Sequence, residues 1–245
     1  MEISSSDYRL IPFGIDRWSA DDIAVSRDAD GRFRVSSPFP CAAIDRERNV
    51  PLRLNNSDYD LAFRPADEVE PDLVAVLRDC IKLECDPWNR KALAFIDGFF
   101  DALERMVVAD EGAIARAAVG FGRLFEPRDW IFSAPRPLPR AHISVPGRDG
   151  DSNSDYLPVD FAFWTGWKLV ALDLGTGTMM PAAARDRERR LRDANIELIA
   201  SAPSNDGEWT DFLAGLAPPA STFWEGETLP LGPFRSKALD TLVAT

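Results

Sequence analysis

Between Pro158 and Leu174 two strand-like runs, PVDFAFW and WKLVALDL, are separated by only Thr165 and Gly166. Two residues suffice for a tight hairpin turn and are too few for the crossover that parallel strands require, so the two runs should pair antiparallel. The second run has the apolar density of a sheet centre buried on both faces. Upstream, Arg140 to Val145 alternates as RAHISV and leads into the polar loop GRDGDSNSD; downstream come a helix from about Ala182 to Ala194 and a strand from Ile196 to Ala200. Asp110 is placed to cap a further helix beginning near Glu111, whose inner face is Ile114, Ala117, Ala118, Phe121 and Phe125. The order is then helix, three strands, helix, strand, and the clean exchange of two sequence periods points to the α/β class.

The first part of the chain reads differently. Residues 1–68 hold short β-like runs such as Arg32 to Val35, interrupted by SSPFP and NNSD. Helical spacing follows: Pro71 opens a helix with Leu73, Val76, Leu77, Cys80 and Ile81 on one face. A longer helix runs from about Arg90 to Val108, capped by Asn89, with Phe95, Ile96, Phe99, Phe100, Leu103 and Val107 as a broad apolar stripe. Aromatic stripes at this spacing are core. The expected organisation is a mixed and helical region over 1–109, an α/β core over 110–215 and a tail over 216–245.

Composition limits the function. No apolar run approaches the roughly 18 residues needed to span a bilayer, and the start MEISSSDYRL lacks the basic and apolar regions of a signal peptide, so a cytoplasmic protein with no membrane partner is expected. Cys41, Cys80 and Cys85 cannot all pair within the chain and form no CxxC, which suits reduced thiols. The net charge of −12 argues against a protein that coats nucleic acid nonspecifically. That charge is unevenly spread: residues 1–109 carry 14 basic and 21 acidic side chains, residues 110–200 carry 12 and 13. The α/β region is therefore nearly neutral. The bland counterpart is an ordinary acidic protein whose surface charge serves solubility.

The segment Val159 to Ser201 carries the chemistry, and it admits two readings. LDLGTGT looks like the glycine loop that holds S-adenosylmethionine in methyltransferases. That loop follows the first strand of a doubly wound sheet, yet only 70 residues follow Gly175, and the next strand ends Ile199, Ala200, Ser201 with no acid for a ribose. The other reading is a metal site. Asp160 opens one strand of the hairpin and Asp173 lies near the end of the other, so both reach the same end of the sheet. One or two carboxylates with water and substrate phosphate are a usual Mg²⁺ shell.

The element order, with DFAF, KLVALD, RDRERRLRDA and IELIAS in sequence, resembles the restriction-endonuclease-like superfamily of PD-(D/E)xK nucleases, and most the branch that contains the very-short-patch repair endonucleases. The resemblance covers about Glu111 to Ser201. It implies a restriction-endonuclease-like core and Mg²⁺-dependent cleavage of DNA in defence or repair, with Mn²⁺ as a substitute, and Asp160 and Asp173 as catalytic metal ligands. The chain departs from the family where its acid-x-Lys tripeptide would place a Lys, since that position is Gly175. Matching the hairpins by their Lys-Leu-Val run instead puts the family acid on Leu172. The repair branch replaces that acid with a backbone carbonyl, which implies the Leu172 carbonyl as a ligand and Asp173 as the polar residue beside it. Leu172 and Asp173 point to opposite faces, so one residue of register separates the two matches.

Three further features carry a functional and a structural reading. In the helix RDRERRLRD, Arg185 and Arg189 lie one turn apart and would bind substrate phosphate; the plain alternative is a solvated helix laced with local ion pairs. His142, the single histidine, sits on a different strand, where a structural role is the commoner one. Trp164 and Trp167 flank the hairpin turn, able to stack on a base or to pack on a helix. The missing Lys and the acidic surface also suit a nuclease-derived subunit that has lost its metal site and serves as the binding or assembly partner of another protein.

Overall fold

In the computed structural model, residues 8–27, 33–45, 53–54, 72–109, 111–112, 128, 131–132, 134–147, 154–165, 168–175 and 180–216 are described. The centre is a four-stranded sheet in the order β6-β7-β8-β9. Its strands are β6 (Leu138–Pro146), β7 (Ser154–Trp164), β8 (Leu169–Leu172) and β9 (Ile196–Ile199). As so short a connection requires, β7 and β8 pair antiparallel, but Phe161 lies opposite Leu172 and Trp164 opposite Leu169, a register two residues further on than the Trp164–Trp167 pairing that a Thr165-Gly166 turn implies. The turn closes through the Thr165 N–H, which donates to the Lys168 carbonyl at 3.1 Å. β6 is antiparallel to β7, and β9 is parallel to β8. That parallel step needs a crossover, supplied by the helix α3 (Pro181–Asp193). Pro181 stands in its first turn, where its missing N–H costs nothing, and Asn195 at φ 57° ends it in the left-handed conformation that asparagine tolerates.

One face of the sheet is covered by helices α1 (Leu73–Glu84), α2 (Arg90–Ala109) and α4 (Asp206–Leu216). The Asp72 carboxylate caps α1 by accepting from the N–H groups of Val74 and Ala75, and the Asn89 side chain caps α2 by accepting from Ala92. The α2 stripe lies as its spacing requires: Phe95, Ile96, Phe99, Phe100, Leu103 and Val107 are all buried, against Phe161, Phe163, Val170 and Leu172 of the sheet. In α1 the inner face turns out to be Val74 and Ile81, with Leu77 beside them, and Val76 is exposed. The first two helices thus form the helical layer of the central sheet. The helix expected from Glu111 to Phe125 lies outside the described residues beyond Glu111 and Gly112, as does the tail from residue 217 on.

The opposite face is closed by α3, through Leu191, and by a small sheet of the N-terminal residues in the order β1-β4-β5. Its strands are β1 (Tyr8–Pro12), β4 (Cys41–Asp45) and β5 (Arg53–Leu54); β2 (Ala24–Arg27) and β3 (Phe33–Ser36) form a separate hairpin. Ile11, Phe13, Ala42 and Ile44 pack against Leu138, Ala141, Ile143, Val159, Leu169 and Ala171. Buried polar links fasten the layers: the Leu10 N–H donates to Ser144 Oγ at 2.8 Å, and Arg9 donates to the Ala194 carbonyl at 2.9 Å. The fold is mixed α/β, and no helix among the described residues is long and apolar enough to cross a membrane.

Candidate functional site

Period-two alternation fails at one level of the sheet, on two neighbouring strands. In β6, Leu138 faces the small-sheet side and so do Ala141, Ile143 and Val145, so the inward positions change parity across Arg140. In β7, Leu157 and Val159 face that side, whereas Phe161 and Phe163 face the helices. The register pairs Pro139 with Phe161 and Ala141 with Val159 but skips the pair between them, Arg140 and Asp160. Arg140 has φ 48°, a conformation that bulky L-residues seldom adopt. Such a local break re-aims side chains that a regular ladder would send elsewhere. Here it turns two charged residues to the rim of a cleft of about 400 Å³ bounded by the loop after β1, by β6, β7 and the end of β8, and by α3.

The cleft is lined by Asp16, Arg140, His142, Asp160, Asp173, Gly175 and Arg187, among others. Asp160 and Asp173 converge there, with their carboxyl groups within hydrogen-bonding reach of each other. β8 settles which neighbour faces the cleft. Leu172 is fully buried under the helices, and Asp173, one residue on, lies on the other side. The Leu172 carbonyl does not join it. The Asp173 N–H donates to Ile199 of β9 at 2.9 Å, and the two ends of a trans peptide point opposite ways, so the Leu172 carbonyl points toward β7, where Phe161 is its register partner. As a metal ligand it is therefore misdirected, and the acidic pair is Asp160 with Asp173.

Both carboxylates already accept bonds. Asp160 Oδ2 accepts from the Leu174 N–H at 2.6 Å, a donor that would otherwise extend the β7–β8 ladder. Asp173 Oδ1 accepts from the Gly175 N–H at 2.8 Å, and its Oδ2 accepts from Arg187. Burial pushes the Asp173 carboxyl upward, but the Gly175 amide, the Arg187 guanidinium and the neighbouring Asp160 side chain outweigh it and hold the group below the usual carboxylate range. Arg187 also donates to the Pro158 carbonyl at 3.1 Å, while its buried Nε has no hydrogen-bond partner. Burial and the neighbouring Arg140 push the His142 imidazole below its ordinary value, which keeps it neutral near pH 7. Its ring lies edge-on to Trp18, with centroids 5.3 Å apart.

The arginines named from the sequence lie elsewhere. Arg185 is exposed and bonds back to Pro181 in its own helix; Arg189 pairs with Asp186 at 2.5 Å and borders a separate cleft beside Pro146 and Arg190. Helix rotation is set by Leu191, the single buried residue of α3. Counting back four and seven positions from it gives Arg187 and Ala184, both of which line the main cleft. That signal was present in the sequence. Trp164 is half-buried and packs beside Leu198 on the small-sheet side, Trp167 lies outside the described residues, and Cys41 and Cys85 are buried thiols.

No group of three or more His, Cys, Asp or Glu is placed to hold a metal ion among the described residues. A hard cation with a mostly aqueous shell needs fewer protein ligands, and two converging carboxylates meet that need. In the structure their mutual repulsion is relieved by Arg187 on Asp173 and by the backbone N–H groups of Leu174 and Gly175, a charge balance to which a divalent ion would add. Comparison of the chain with protein-family models, with curated proteins and with solved structures found no match to any of them.

Proposed function

We propose that the cleft is the active site of a Mg²⁺-dependent nuclease acting on DNA, with Mn²⁺ able to replace Mg²⁺. The observation that carries this reading is the meeting of Asp160 and Asp173, from the two strands of one hairpin, beside the guanidinium of Arg187. The order β6, β7, β8, α3, β9, with the last strand parallel to β8, is also the order expected of a restriction-endonuclease-like core. Asp160 and Asp173 would hold the cation through oxygen. Bound there, it would neutralise charge on the phosphate and activate a water. Arg187, turning part of its guanidinium from Asp173, would hold a phosphate oxygen, and its unpartnered Nε provides a further donor. The neutral His142 imidazole can accept a proton from water at the cleft wall.

A second reading has its own observation. Each Asp173 oxygen accepts an internal hydrogen bond, and Gly175 stands where a Lys would be expected, which favours a catalytically degenerate subunit that binds another protein. One experiment separates the two. Under the nuclease reading, millimolar Mg²⁺ or Mn²⁺ raises the melting temperature through binding to the folded state, and Asp160→Asn abolishes both that shift and DNA cleavage. Absence of divalent binding by calorimetry, with no cleavage, selects the assembly subunit. S-adenosylmethionine should show no saturable binding under either, because β8, which precedes the glycines, lies antiparallel to β7 instead of within a doubly wound parallel sheet.

A further inference from the structure

Helix α1 ends on a carboxyl group that is nearly sealed from solvent. The Glu84 side chain is 11% exposed; its Oε1 accepts from Arg136 at 2.8 Å, and its Oε2 is buried without a hydrogen-bond partner. The Glu84 backbone carbonyl accepts from Arg140 Nε at 2.8 Å. Arg140 then crosses to the loop after β1, with Nη1 2.5 Å from Asp16 Oδ1 and Nη2 donating to the Gly14 carbonyl. Gly14, at φ +70°, packs so closely that a Cβ there would lie 3.2 Å from the Glu84 Cβ, and its N–H donates to the Pro139 carbonyl at 2.8 Å. Glu84 therefore sits where α1, β6 and the Gly14–Asp16 loop are joined. Arg140 and Asp16 from this junction form one wall of the cleft.

We infer that Glu84 is a proton-operated latch on that wall: protonated, its carboxyl stays buried and the junction is shut; ionised, it draws water to the unpartnered Oε2 and loosens the end of α1, on whose backbone carbonyl Arg140 is held. A carboxyl that ordinarily titrates at 4.5 is moved up to about 7 by burial, against the pull of Arg136 and Arg140. The other charged or titratable groups around it are Cys80, Lys82, Cys85 and Asp86 on or just beyond α1, and Asp16 on the loop. Lys82 is held by Asp97 at 2.9 Å, and burial pushes the Cys85 thiol up to about 12, which keeps that thiol neutral. The sign follows from linkage. The shut state binds the proton more tightly than a state in which water reaches the carboxyl, so low pH favours closure and rising pH favours opening. The stability that Glu84 contributes to the fold is likewise complete below about pH 4.5 and lost as pH rises through about 7.

The test is hydrogen exchange of the Arg140 side-chain Nε–H, followed by NMR and normalised to the exposed Arg192. If the open state restores the ordinary carboxyl value of 4.5 in place of about 7, the opening equilibrium rises about tenfold between pH 6 and pH 8. Glu84→Gln should remove that change. Constant normalised exchange in the native protein, or an equal rise in Glu84→Gln, overturns the latch. Should Glu84→Gln fail to fold, carboxyl ¹³C titration of the native protein decides instead: one glutamate with a midpoint near 7 supports the latch, and ordinary midpoints for all of them overturn it.

Discussion

On the helix side of the central sheet, Phe161 and Phe163 meet Phe95 with ring centroids 4.8 and 6.2 Å apart, within a layer of apolar side chains. On the other side, Asp160 of the same strand and Asp173 just beyond the next one face Arg187 and Arg140 across a cleft. The two surfaces are separated by the thickness of one sheet and by single steps in sequence. Their difference shows how a short apolar strand can present charge: Asp160 leaves the apolar alternation where the register with Arg140 is skipped, and Asp173 follows the last residue of β8. The aromatic layer stabilises through buried area, which is insensitive to pH. The cleft side stabilises through ion pairs and hydrogen bonds, which are not.

Substitutions can break this contrast, beginning with the largest effect. Phe161→Ala, at a fully buried position, should destabilise the protein by about 3–5 kcal/mol in denaturant titration, with little dependence on pH between 5 and 8. A loss under 1 kcal/mol would mean that the aromatic layer is not the main support of the sheet. Gly98→Ala places a methyl group 2.5 Å from Trp209 Cζ2 and should cost about 1–3 kcal/mol through overpacking between α2 and α4.

On the charged side, Arg187→Ala removes donors to Asp173 and Pro158 and should cost about 1–3 kcal/mol, while strengthening any divalent binding at neutral pH because Asp173 is released. Weaker binding in this variant would place the cation away from Asp173. Asp173 titrates below its usual 3.8, so the stability it contributes is present above that value and is lost as pH falls through the depressed one. Asp173→Asn should accordingly flatten the acid limb of the stability profile, read as melting temperature against pH below 5. Arg185→Ala with Arg189→Ala makes the smallest change, within about 0.5 kcal/mol, and should leave the slope of DNA affinity against salt unaltered where Arg187→Ala lowers it.

Much of the fold could be read from the sequence because its signals are local. The short connection after Trp164 fixes the antiparallel sense of β7 and β8, though not their register, and the Phe95 to Val107 stripe fixes which side of α2 is buried. The small sheet could not be read, since β1 pairs with β4 across nearly thirty intervening residues and no turn signal links Pro12 to Cys41. Of the cleft, Asp160 and Asp173 were visible as paired acids in a hairpin. The break at Arg140 was not, because RAHISV alternates in sequence as a regular strand does. Arg187 was passed over for a different reason: with five arginines on one short helix, charge gives no phase, and only Leu191 does.

The parity change at Arg140 and Asp160 makes the lengths of two strands interdependent. Removing one residue from β7 on either side of Asp160 would throw half of that strand out of phase with β6, burying what should be wet and wetting what should be buried. An equal deletion opposite it, in β6, would restore the match. Viable insertions and deletions within these two strands should therefore arise as compensated pairs.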